Sequence, residues 1–185
     1  MNWTPRLSLA ALIIFGVSAC SLVGPKDDNL GKRTFGTQLD DRRSAKLIMQ
    51  NLKAANPEVK SMNLAVTVFN GVALLTGQAN TEAVKTQAGK IAGQIRNVAK
   101  VHNEIEVAGP TALLVRSNDG LLKTKIRVKM GLAPDVDADR IKVVVENGVV
   151  YLMGLLTRDE ATAAVSLTRD VYGAQTIIQA FEFLN

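Results

Sequence analysis

The chain has 185 residues and a formal charge of +5, room for one ordinary domain or two small ones once an N-terminal signal is set aside. Hydrophobic residues make up 47% but aromatics only 4%, so a core must be built from Val, Leu, Ile and Ala. The stacking platform of single-strand nucleic-acid binders is therefore lacking. The mild basic excess suits an anionic membrane surface as well as nucleic acid and does not choose between them.

Residues 1–19 read as a secretory signal, with Arg6 as the positive n-region and Leu7 to Phe15 as the apolar h-region. Val17-Ser18-Ala19-Cys20 resembles the bacterial lipobox, in which small residues precede a thiol that accepts a diacylglyceryl group. Val17 stands where Leu is commoner. The apolar stretch is about 13 residues, short of the ~20 that span a bilayer. Cys20 is the only cysteine, so no internal disulfide competes for it. Ser21 follows; by the sorting rule of enterobacterial lipoproteins, in which Asp there retains the protein at the inner membrane, Ser implies the outer membrane, facing the periplasm. That address removes most nucleic-acid partners. Residues 20–40 read as the lipidated N-terminus and a polar tether.

From residue 41 the chain repeats itself. Asn70-Gly71 recurs as Asn147-Gly148, Gly77 as Gly154 and Pro57 as Pro134, all 77 positions on; the offset is 78 upstream, where Asp41 matches Asp119, and 76 downstream, where Glu106 matches Glu182. Two long copies indicate two domains rather than a solenoid. Boundaries are expected at 41–108 and 117–185, with a linker at 109–116 containing Gly109-Pro110.

In the first copy, Asp41 stands where an N-cap is expected, and Ala45, Ile48 and Leu52 follow at helical spacing. Leu64, Val66 and Val68 alternate as a strand. Asn70-Gly71 predicts a type I′ hairpin turn, which needs φ > 0 at both positions. The second strand runs from Val72 to Thr76 and ends at Gly77. Asn80 or Thr81 caps a helix carrying Val84, Ala88, Ile91 and Ile95 on one face. Val101 to Val107 form the last strand.

The second copy has Asp119 at the expected cap, then strands from Ile141 to Val145 and from Val149 to Met153. Thr157 with Glu160 makes a capping box, and Ala161, Ala164, Leu167 and Val171 form that helix's buried stripe. Gln175 to Phe183 closes the chain. The order is αββαβ twice, an α+β fold in which each unit has a three-stranded mixed sheet with two helices packed on one face.

This order, with the Asn-Gly-Val…Leu-x-Gly core seen in Glu146-Asn147-Gly148…Leu152-Met153-Gly154, resembles the BON domain. Gly36-Thr37-Gln38-Leu39-Asp40-Asp41 and Ser117-Asn118-Asp119 are further matches. Two copies behind a lipobox are similar to the outer-membrane lipoproteins with two BON domains, a lipid-binding kind associated with division and outer-membrane stress. The resemblance covers nearly the whole mature chain. It implies binding to anionic phospholipid, of phosphatidylglycerol or cardiolipin type, in support of outer-membrane integrity, with no catalysis and no cofactor. Most of the pattern is core and turn chemistry, so it specifies fold better than function.

The residues agree that an enzyme is poorly supported. His102 is the only histidine and falls in a predicted strand, where it is expected to be exposed; Cys20 is consumed by lipid. No Walker-type phosphate loop and no Cys/His metal spacing occurs. Asp135-Val136-Asp137-Ala138-Asp139, with Glu146 eleven residues after Asp135, partly matches a calcium loop, but Arg140 occupies the position that needs Gly for the sharp turn. It reads as a solvated loop.

The candidate functional element is the second copy's first helix, 119–132. Leu122, Ile126 and Met130 supply its core stripe. Leu121, Val128 and Leu132 form a second apolar line with Lys125 among them, flanked by Lys123, Arg127 and Lys129. The matching line in the first copy, Arg43, Gln50 and Ala54, is polar. Apolar side chains rimmed by bases suit insertion among acyl chains with contact to anionic headgroups. The competing reading packs Leu121 or Leu132 against the other copy. A rival function is a protein-interaction module that docks on an envelope assembly, with membrane attachment only through the acyl anchor.

Overall fold

The computed structural model describes residues 31–109 and 113–184. The signal, Cys20 and most of the tether lie outside them. Each copy folds as αββαβ. The first has α1 (Phe35–Ala55), β1 (Asn63–Phe69), β2 (Val72–Ala79), α2 (Glu82–Gly93) and β3 (Lys100–Val107). The second has α3 (Leu113–Gly131), β4 (Ile141–Glu146), β5 (Val149–Leu156), α4 (Arg158–Arg169) and β6 (Thr176–Phe183). The sheets have the orders β1-β2-β3 and β4-β5-β6. In each, the first pair is antiparallel, closed by the Asn-Gly turn, and the second is parallel, reached through a helix. Both expected turns form, with Asn70 and Asn147 at φ 51° and Gly71 and Gly148 at φ 75°.

The two aspartates are not N-caps. Thr34 caps α1, its hydroxyl accepting from Thr37 N at 3.1 Å, and the helix runs through residues 35–40 assigned to the tether. Asp41 is instead buried inside α1 and accepts from Asn70 N at 2.8 Å and Gly71 N at 3.0 Å. Asp119 does the same in α3, accepting from Asn147 N and Gly148 N at 2.8 and 2.9 Å. A hairpin turn bent back on a helix would leave both N–H groups without water; a carboxylate about two helical turns inside supplies the acceptors. The helix positions that resemble caps in sequence are anchors for turns that begin 29 and 28 residues away.

Several element ends also differ. α3 starts at Leu113, within the stretch read as linker. β2 continues past Gly77, which takes φ 105° and sits so close to β1 that a Cβ would fall 1.8 Å from the Asn63 carbonyl oxygen. α2 ends at Gly93, so Ile95 packs on the core from the following turn. The capping box of Thr157 and Glu160 forms as expected.

Each sheet packs its helices on one face. Ile48, Leu52, Leu75, Ala88 and Ile105 are among the first core; Leu122, Ile126, Met130, Leu152 and Phe181 are among the second. The opposite faces pack against each other. Phe69, Val72 and Leu74 of one sheet meet Tyr151, Met153 and Ala180 of the other in a third buried cluster. The molecule is thus a four-layer stack: helices, sheet, sheet, helices. Each large apolar side chain buried there stabilises the pairing by about 1.5–3 kcal/mol relative to exposure. At the rim, Asn70 Nδ2 donates to Glu182 at 3.1 Å and Asn147 Nδ2 donates to Glu106 at 3.2 Å. These are repeat-equivalent residues in reciprocal contact, as an approximate two-fold axis between the copies requires. Glu146 also accepts from Asn63 and Gln78.

Candidate functional site

Docking through the sheets leaves the helices outermost, and this decides where α3 points. Leu122, Ile126 and Met130 are buried, as their spacing predicts. Leu121, Val128 and Leu132 are 61%, 58% and 82% exposed. Residues 121, 125, 128 and 132 recur at four, three and four positions, which places them on one helical face. None of the three apolar residues belongs to the buried cluster through which the two sheets pack together.

One residue of this surface is not singled out by the helix pattern. Tyr172, in the turn between α4 and β6, is 93% exposed and shares an open cleft of about 430 Å3 with Leu121, Lys125, Gly173 and Gln175. Its predecessor Val171 is buried, so the chain direction turns Tyr172 outward. The local sequence signals an outward Tyr, but only the fold sets that turn beside α3. A tyrosine with an apolar ring and a polar tip suits a boundary between apolar and aqueous phases.

The flanking bases divide into three sets. Lys125 lines the cleft beside Leu121. Lys129 is tied to Asp170 at 3.4 Å. Lys123 and Arg127, one turn apart, lie on the side of α3 that reaches β4, near enough to Lys142 for their charges to disfavour its protonated form.

The first domain differs at every matching position. Arg43, Gln50 and Ala54 replace Leu121, Val128 and Leu132, and Arg96 replaces Tyr172. Arg43 is exposed and sits 3.8 Å from Asp40. Leu47 is its one exposed apolar residue in the middle of that line, with Phe35 and Leu39 nearer the N-terminus.

His102 is half-buried rather than exposed, on the inter-sheet side of β3. Burial, reinforced by the Lys100 charge and opposed by Glu104, lowers its pKa below the ordinary histidine value. Its Nε2 has no hydrogen-bond partner among the described residues. In the acidic run, Asp137 caps a short 3-10 helix by accepting from Asp139 N at 3.0 Å. Arg140 is buried and pairs with Glu160 while donating to the Leu155 carbonyl at 2.9 Å. No helix among the described residues is long and apolar enough to cross a membrane.

Comparison with known proteins places these features in context. The BON domain family matches residues 40–109 and 118–185. The chain is 32% identical over 154 residues to the outer membrane lipoprotein DolP of Haemophilus influenzae, covering 83% of this chain and 79% of that protein. It is 30% identical over 152 residues to the 21 kDa hemolysin of Actinobacillus pleuropneumoniae, covering 82% and 78%. Among solved structures, the C-terminal domain of CdsD, a structural protein of the type III secretion system of Chlamydia trachomatis, aligns over 78% of this chain and 67% of that one, at 15% identity and a TM-score of 0.31.

Proposed function

The chain belongs to the BON domain family, and on that premise we propose that it is a lipid-anchored, non-enzymatic protein of the outer membrane, facing the periplasm, that binds anionic phospholipid through its second domain. Leu121, Val128 and Leu132, with Tyr172 beside them, enter the acyl boundary, and Lys123, Lys125, Arg127 and Lys129 meet the headgroups. The observation that carries this reading is the exposure of Leu121 and Val128 on α3, of Leu132 just past its end and of Tyr172 in the neighbouring turn, beside a helix whose core stripe is already buried. Contiguous exposed apolar residues rimmed by bases mark a contact surface. The resemblance of 83% of the chain to a protein described as an outer membrane lipoprotein supports the address and acylation at Cys20.

The test is co-sedimentation of the unacylated chain 21–185 with vesicles, with and without phosphatidylglycerol, across a salt series. Leu121→Asp places a charge among the acyl chains and is expected to weaken binding at every salt concentration. Lys125→Glu is expected to weaken it most at low salt, where screening is least. A folded Leu121→Asp protein that binds like the parent overturns the assignment. Acylation is checked separately by labelled palmitate, which Cys20→Ala is expected to exclude.

A further inference from the structure

Resting on that reading, we propose that the anionic headgroups are also held by a basic edge shared between the two domains, formed by Lys123 and Arg127 of α3, Lys142 of β4, and Arg33 and Arg42 of the first domain. The first domain is then part of the membrane-binding surface, and the surface is complete only when the sheets are docked.

The placement follows from the fold. β4 is an edge strand of its sheet, and α3 packs against it. Lys142 pairs in register with Met153, whose side chain lies in the inter-sheet cluster beside Phe69 of the first domain. The Arg33 guanidinium covers that same Phe69 ring at 3.6 Å and pairs with Asp41 at 2.7 Å. Arg42 is the next residue on α1. Two residues before Arg33, Gly31 takes φ 102° and lies so close to the second domain that a Cβ there would meet the Leu155 carbonyl oxygen at 2.4 Å. The chain therefore passes from the second domain to the first along the edge where Lys142 stands.

The five cations are under-compensated. Asp41 faces Arg33, but no carboxylate lies within ion-pair distance of Arg42, Lys123, Arg127 or Lys142 among the described residues. Lys142 is exposed, yet partial burial of its ammonium, then the charges of Lys123, Arg33, Arg127 and Arg42, lower its pKa below the ordinary lysine value. Uncompensated cations gathered from two domains make a positive field that attracts an external anion. A membrane surface fits better than a soluble ligand because of where the tether leads. Gly31 lies eleven positions after Cys20, a maximum span of about 40 Å, so an acylated chain holds this edge within reach of the bilayer.

The experiment uses the unacylated chain 21–185 and vesicles of phosphatidylcholine with rising phosphatidylglycerol content. Arg42→Gln and Lys142→Gln are each expected to weaken binding roughly fivefold at low salt, the effect of one base near an anionic surface. Arg43→Gln, one residue along on the outward face of α1, is expected to bind like the parent. Equal losses at Arg42 and Arg43 would reduce the edge to a diffuse charge effect and overturn the proposal. So would parental binding by Arg42→Gln and Lys142→Gln while Leu121→Asp loses it, which leaves the α3 reading intact. If Leu121→Asp and Lys125→Glu also bind like the parent, both readings fall. Thermal melts confirm that each variant is folded.

Discussion

The two domains share an interior and differ on the outside. Ile48 and Ile126 fill matching places under their helices, and Asp41 and Asp119 anchor matching turns. On the outward helix face, Arg43, Gln50, Ala54 and Arg96 stand where the second domain has Leu121, Val128, Leu132 and Tyr172. The inter-sheet faces differ as well: Leu74 of one domain occupies the place of Tyr151 in the other, and the two side chains share one cluster. The core constrains inward side chains through packing and the turn through hydrogen bonding. It constrains the outward face hardly at all, so one fold can present a polar helix on one copy and an apolar one on the other.

The most disruptive way to probe this equivalence is at the anchoring aspartates. Asp119→Ala leaves two turn N–H groups without acceptors and is expected to cost about 3 kcal/mol in urea unfolding. Asp41→Ala is expected to cost at least as much, because Arg33 also loses its partner. A negligible loss at either position would show that the two anchors are not energetically equivalent. The outward difference can be transplanted. Arg43→Leu, Gln50→Val, Ala54→Leu and Arg96→Tyr together give the first domain the second domain's face, and vesicle affinity is expected to rise about tenfold without loss of stability. Unchanged affinity would mean that the apolar face does not suffice.

Smaller effects separate the turns and the interface. Gly71→Val and Gly148→Val both force a β-branched residue to φ 75°, at about 1 kcal/mol or more. The loss in thermal melts is expected to be larger at Gly71. Its added Cβ meets the Asn97 carbonyl oxygen at 3.2 Å, whereas that of Gly148 meets the Gln175 side chain, which can swing away. The smallest effect concerns pH. Burial, then Glu104, Glu106 and Glu146, push the Tyr151 hydroxyl up from 10.0 to about 12. A raised folded-state pKa gives stability that is complete below pH 10.0 and is lost as pH rises through about 12. Tyr151→Phe is expected to leave stability near pH 7 within ~1 kcal/mol of the parent and to flatten this alkaline loss. A parallel decline in the variant would assign the loss to other groups.

Local pattern determined a great deal. Asn-Gly dictates a turn wherever it falls, because its φ demands are intrinsic to the residues. The four-residue spacing of Leu122, Ile126 and Met130 marks a buried stripe in any helix, and Thr157 with Glu160 closes its own capping box. A second signal for docking was present in Val72-Ala73-Leu74-Leu75 and Val149-Val150-Tyr151-Leu152-Met153. Unbroken apolar runs in strands signal burial on both faces, where a one-sided sheet would alternate. What they cannot specify is the covering layer, since hydrophobic burial is non-directional and a helix would serve as well as a second sheet. The tertiary structure alone decided that each sheet covers the other, that Asp41 and Asp119 reach across 29 and 28 positions to a turn, and that Tyr172 stands beside α3. These depend on contacts between residues far apart in the chain, whose pairing is settled by the packing of the whole molecule and leaves no periodic trace in the segments that meet.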